Sequence, residues 1–158
     1  MCERDIHYDT KEFKRYNGNE QHKKDVMFGL KQENKLKPIL ENYFNVKLNH
    51  SDPYENYDYC NKEECIYIEL KSRRINKNKY NDTMLSYNKY QKLKKMKIDN
   101  PSIKIYIVYN FMDILCYYEL CLDNNFRISN GGTTKRGFME RSQHIYIPTS
   151  YLIDIKNN

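Results

Sequence analysis

The chain has no tryptophan, and no apolar run in it approaches the roughly 20 residues needed to cross a bilayer. No membrane partner is expected on that ground. The first residues, Met1-Cys2-Glu3-Arg4-Asp5, are charged where a secretory leader would be apolar. The five cysteines are odd in number, which argues against a closed set of disulfides. Together these features lead us to expect an intracellular protein with reduced thiols, in the cytoplasm or nucleus of a host cell. A P-loop is missing too: Gly131-Gly132-Thr133-Thr134 lacks both the spacing and the Gly-Lys-Ser/Thr end that cradle phosphates.

What is present is polar. Hydrophobic residues make up 39% and charged residues 30%, with a mean hydropathy of −0.96. Sixteen tyrosines stand in for other aromatics. This composition predicts a small core under a charged surface, and 158 residues suit one domain. The net charge of +6 and a pI near 8.9 lean towards a polyanionic partner. Heavy use of Lys, Asn, Ile and Tyr also fits an AT-rich coding sequence, such as that of a DNA virus.

Residues 57–71 are the stretch with chemistry in it. They read as a β-hairpin: residues 57–60 form one strand, polar residues 61–64 the turn, and 65–71 the second strand. In the second strand Ile66, Ile68 and Leu70 alternate with Cys65, Tyr67, Glu69 and Lys71. Side chains two apart on a strand share a face, so Glu69 and Lys71 project together. A four-residue loop pairs Cys60 with Cys65 and Asp58 with Tyr67. That sets Asp58 diagonally across from Glu69 on the same face. An odd-length loop would send Asp58 to the other face. Two carboxylates this close repel unless something positive stands between them. A hard divalent cation such as Mg²⁺, with Mn²⁺ as substitute, suits such oxygen ligands and activates water. Lys71 would orient or deprotonate that water, or hold a phosphate. The plain alternative is a solvated strand face on which Lys71 pairs with Glu69.

Asp58 followed, after a hairpin turn, by Glu69-Leu70-Lys71 resembles the signature of the PD-(D/E)XK nuclease superfamily, with its restriction-endonuclease-like fold. The proline that gives the motif its name is absent before Asp58. The resemblance covers about residues 20–150. It implies an α/β (α+β) fold with a central mixed sheet flanked by helices. The implied order is αβββαβ, here with a C-terminal β extension. It also implies a metal site in which Asp58, Glu69 and the backbone carbonyl of Leu70 hold Mg²⁺. An acidic residue on the opening helix would face that metal, with Glu33 the candidate and Glu41 the reserve. The helix after the hairpin supplies a further residue in the family. Lys89 is preferred there, with Gln91 second and Tyr87 also nearby.

In chain order, residues 1–19 read as an arm and 20–158 as one nuclease-like domain. Residues 20–44 read as helical, with Pro38 ending or kinking the first segment near Lys37 and a second short helix over 38–44. Residues 46–48 are expected to form a short strand. The basic stretch after the hairpin carries Arg73, Arg74 and Lys77 as phosphate-binding candidates. Residues 83–97 read as the crossover helix, with Lys92 on its basic face. Residues 103–109 read as a central strand covered on both faces, and 113–122 as the next. Residues 123–143 read as loop-rich, with Arg136 and Arg141 facing DNA. Residues 144–148 form a last short strand, and 150–155 a terminal turn or helix. His144 is a candidate base, though a lone histidine at a strand end is more often structural. The spacings Cys60-x4-Cys65 and Cys116-x4-Cys121 suit zinc, but in apolar strands cysteine usually packs as a small hydrophobe.

The resulting expectation is a metal-dependent endonuclease acting on DNA, in the manner of small resolvases, with a homodimer cutting both strands. The competing readings are a nucleic-acid-binding module on the same fold, and a scaffold domain whose charges serve only solubility.

Overall fold

The computed structural model describes residues 20–132 and 142–156. The arm over 1–19 and the basic candidates Arg136 and Arg141 lie outside the described residues. Among the described residues no helix is long and apolar enough to cross a membrane.

The chain opens with one helix, α1 (Glu20–Phe44), that continues through Pro38. The expected break at Lys37 is not there. Leu36 and Leu40 lie one turn apart on either side of the proline, and both are buried, while Pro38 itself is exposed. Burying two leucines contributes about 1.5–3 kcal/mol each, against about 3 kcal/mol for an internal proline. Packing therefore overrides the local preference. The helix stops at Asn45, whose φ of 50° is left-handed. The Val46 amide bonds the Glu41 carbonyl (3.1 Å) and the Asn45 amide the Asn42 carbonyl (3.4 Å), a Schellman closure with Asn in the glycine position.

That closure turns Val46 and Leu48 into the core. The first strand, β1 (Asn49–His50), therefore begins after them rather than at residues 46–48. It pairs antiparallel with β2 (Tyr59–Asn61), which pairs antiparallel with β3 (Ile66–Ser72). In this hairpin Cys60 faces Tyr67, not Cys65. The turn is Lys62 to Cys65: the Asn61 side chain accepts from the Glu64 amide at 2.8 Å, and Cys65 takes φ 55°. The register differs from the expected one by two residues, so every side chain keeps its face.

A 3₁₀ turn (Lys77–Lys79) leads to β4 (Asp82–Ser86), and only then does α2 (Tyr87–Asp99) begin. The expected helix over 83–97 is thus a strand for its first turn. Thr83 and Leu85 are buried in alternation, the strand pattern that the stretch does carry. Crossover helix α2 returns the chain to β5 (Lys104–Asn110), parallel to β3 along seven pairs from Ile66↔Lys104 to Ser72↔Asn110. β6 (Leu115–Glu119) follows antiparallel. β7 (Arg127–Gly131) lies inside the stretch expected to be loop, followed by β8 (Ser142–Pro148). A 3₁₀ turn (Thr149–Tyr151) and β9 (Ile153–Asp154) close the described chain.

Two sheets result. One has six strands in the order β1-β2-β3-β5-β6-β9, and the other three in the order β4-β8-β7. The larger is mixed and has a helix packed on each face. Ile68, Leu70, Tyr106 and Val108 join Leu36 and Leu40 of α1 in one core. Ile105, Ile107 and Tyr109 join Tyr90 and Leu93 of α2, with Ile145 and Ile147 of β8, in the other. β5 is buried from Ile105 to Tyr109, as its continuous apolar run requires. Cys60 and Cys116 are buried free thiols within these strands.

Because Pro38 interrupts the backbone ladder of α1 while its ring faces solvent, Pro38→Ala restores a helical N–H without disturbing the core. We expect it to stabilise the protein by about 1–3 kcal/mol, read as a higher urea midpoint at unchanged slope.

Candidate active site

Strand alternation fixes what β3 offers to each layer. Ile68 and Leu70 point at α1, so Glu69 and Lys71 point at α2. Glu69 has no exposed side-chain surface. Its Oε1 accepts from two ammonium groups, Lys71 Nζ at 2.6 Å and Lys89 Nζ at 2.7 Å. Its Oε2 is buried and has no hydrogen-bond partner among the described residues. Lys89 reaches it from the first turns of α2.

Asp58 stands just before β2. Its backbone ties both neighbouring strands: its amide donates to the Ile68 carbonyl (2.8 Å), and its carbonyl accepts from Ser51 (2.9 Å). Its carboxylate Oδ2 accepts from the Leu70 amide at 2.7 Å. The amide and carbonyl of one strand residue leave the chain on the same edge, so the Leu70 carbonyl opens beside Asp58. Burial pushes the Asp58 carboxyl up to about 8, helped by the charges of Glu69 and Glu33; Lys71 and the Leu70 amide oppose the shift. Burial acts to lower the Lys71 ammonium, but Glu69 and Asp58 outweigh it and hold the group above its ordinary value. Lys71 therefore stays a cation here.

These groups lie in an open cleft of about 1110 Å³. Asp58, Leu70, Lys71 and Lys89 line it, with Glu33 of α1 and His144 of β8. Glu33 is on the helix that packs against the opposite sheet face, yet it lines the same cleft and its charge helps to raise the Asp58 carboxyl. Among the described residues no three or more His, Cys, Asp or Glu side chains form a metal-holding group. The reserve, Glu41, is used elsewhere: its carboxylate accepts from the Leu48 amide at 2.8 Å, bracing the turn after α1.

The basic candidates divide. Arg73 and Arg74 line the cleft. Arg73 donates to the Met84 carbonyl, and Arg74 pairs with Asp25 at 3.1 Å while lying over the Phe28 ring at 4.3 Å. Lys77 is not brought to the cleft; it pairs with Asp154 at 2.6 Å and its amide bonds Asp113. Lys92 is exposed on α2 and Gln91 borders a separate hollow, and neither lines the cleft. His144 Nδ1 stands 2.8 Å from the Ser142 carbonyl. Residues that sequence reasoning missed include Asp25 and Phe28, which wall the cleft beside Arg74, and His50, whose ring nitrogen is 4.0 Å from Glu33. Asp25 and Phe28 lie off the buried stripe of α1, and His50 is on a strand of two residues, so periodicity marks none of them and spatial proximity does.

The Asp58 shift has a sign. Its folded-state pKa exceeds the ordinary 3.8, so the folded protein keeps a proton that the unfolded chain releases. Without divalent cations this carboxyl therefore lowers stability progressively as pH rises from about 4 to about 8. Asp58→Asn is expected to flatten that decline. Thermal unfolding in EDTA across this range, wild type beside variant, measures it; parallel curves would show that Asp58 is not the group responsible.

A family model described as "Phage putative PDDEXK endonuclease" matches residues 23–154. No curated protein and no solved structure matches the chain. The matched span takes in both helices, the hairpin and the cleft that they form. The chain belongs to the PD-(D/E)XK nuclease superfamily, within this phage endonuclease family.

Proposed function

We propose that the protein is a metal-dependent endonuclease that hydrolyses phosphodiester bonds in DNA. The observation that carries this reading is that Asp58 and Lys71 line one cleft while Lys71 is paired with the buried Glu69 directly behind it. The donor set suits a hard dication. Burial, joined by the charges of Glu69 and Glu33, raises the Asp58 carboxyl, a cost that a dication would relieve, and Glu69 Oε2 is a buried oxygen with no partner among the described residues. With the Leu70 carbonyl opening on the same edge, three oxygens are available to Mg²⁺ or Mn²⁺. When bound, such an ion supplies an activated water and stabilises charge on the phosphate.

The chain's own residues do the rest. Lys71 and Lys89, held on Glu69, place two positive charges beside the carboxylates. There Lys71 hydrogen-bonds and orients the attacking water as a cation, and both ammonium groups favour the extra negative charge of the transition state. Arg73 and Arg74 lie on the adjoining wall and hold the backbone phosphates that flank the scissile bond. The compact fold suits an endonuclease better than a processive exonuclease.

One observation favours a second reading. Both lysines sit on Glu69 Oε1, and no three-residue metal group exists among the described residues. A site neutralised in this way would serve a module that binds nucleic acid without cutting it.

Cleavage of a labelled panel (supercoiled plasmid, linear duplex, single strand, flap and four-way junction) in Mg²⁺, Mn²⁺ or EDTA separates them. We expect cutting with metal, none in EDTA, and a loss of roughly 10²–10⁴-fold in Lys71→Ala with metal binding retained. Glu69→Gln should lose both cutting and the rise in melting temperature that metal gives. Normal cleavage by Glu69→Gln would refute the site assignment. Binding that weakens with salt, with no cleavage of any substrate, would establish the second reading.

A further inference from the structure

A second polar junction lies where α1, β1 and β2 meet. Tyr59 is fully buried, and its hydroxyl donates to the backbone carbonyl of Glu33. His50 is the partner of Tyr59 across the β1–β2 ladder, and the two rings lie against each other with centroids 5.1 Å apart. From there His50 Nδ1 stands 4.0 Å from Glu33 Oε2, with the two side chains only 7% and 15% exposed. Tyr59 thus fixes the backbone of the residue whose carboxylate His50 faces. Glu33 also lines the cleft, and its charge is felt at Asp58.

Packing alone does not account for this arrangement. A phenyl ring would fill the space beside Tyr59 as well as an imidazole does, without bringing a polar nitrogen into a buried place. A glutamate on a helix also has several rotamers open to it, and those that reach water leave its charge best solvated. We propose that His50 is a positioning residue for Glu33: it keeps the Glu33 carboxylate on the cleft side of α1, where its charge adds to those of Asp58 and Glu69 in attracting a divalent cation. His50 acts through Glu33 and is not itself a ligand. The inference rests on the nuclease reading above.

The test uses the full chain, with Mn²⁺ as probe. Mn²⁺ affinity is measured by calorimetry, and the Mn²⁺ dependence of cleavage is measured beside it. His50→Phe keeps the ring and removes the nitrogen. It should weaken Mn²⁺ binding by about three- to tenfold and raise the Mn²⁺ needed for half-maximal cleavage by the same factor. The rate at saturating Mn²⁺ should stay within about twofold of wild type, a split that general destabilisation would not give. His50→Asn places an amide nitrogen near the position of Nδ1 and should recover most of the affinity. Glu33→Gln should lose as much as His50→Phe, and the double variant no more than either.

Wild-type affinity in His50→Phe, or losses that add in the double variant, would overturn the proposal. Should His50→Phe fail to fold, the comparison of His50→Asn with His50→Gln decides. The glutamine amide falls near Nε2 instead, so equal Mn²⁺ affinities would refute positioning through Nδ1. A wild-type protein that binds Mn²⁺ and cuts DNA while His50→Phe is unaffected defeats this inference alone. A wild type that neither binds Mn²⁺ nor cuts defeats the nuclease reading and this one with it.

Discussion

Glu69 has no contact with solvent, and the compensation for burying it comes from two different elements, Lys71 on its own strand and Lys89 on the crossover helix. Removing one partner of a buried ion pair costs about 3–5 kcal/mol, because the remaining charge is left uncompensated. The contact therefore fastens α2 to the centre of the large sheet at the position where the chemistry is expected. Strand β3 is itself held from both sides, by β2 and by seven parallel pairs with β5. The spacing of Glu69 and Lys71 is thus set by sheet geometry and not by a loop.

Much of this was legible in the sequence. Alternation across residues 65–71 identified the face that carries Glu69 and Lys71, and the continuous apolar run over 103–109 identified a strand covered on both sides. The crossover to a parallel strand was also visible, since a basic helical stretch separates the two. Each of these features follows from a local period that tertiary structure has no reason to disturb.

The rest required long-range information. Pro38 signals a helix end locally, yet Leu36 and Leu40 find a core that only the folded sheet supplies. β4 was absorbed into the helix that follows because its pairing partner, β8, lies about sixty residues away (Thr83 with Ile147, Leu85 with Ile145). β7 was hidden for the same reason, as a mostly exposed strand with little apolar pattern. At the site, strand alternation put Glu69 and Lys71 on one face, while grouping them with Asp58 as a site, and adding Lys89, took the family resemblance as well. Glu33 was placed on the right helix, but its distance from the other carboxylates depends on which sheet face that helix covers. His50 carries no local pattern at all.

The hairpin turn has a wider meaning. Its observed pairing lies two residues from the one that the simplest loop would give, and the paired residues Tyr59 and Ile68 face the same core in both. A two-residue change in the loop preserves that facing, while a one-residue change turns Tyr59 out of the core. Length variation in this hairpin should therefore come in even steps, so relatives that keep this buried pair should differ here by pairs of residues.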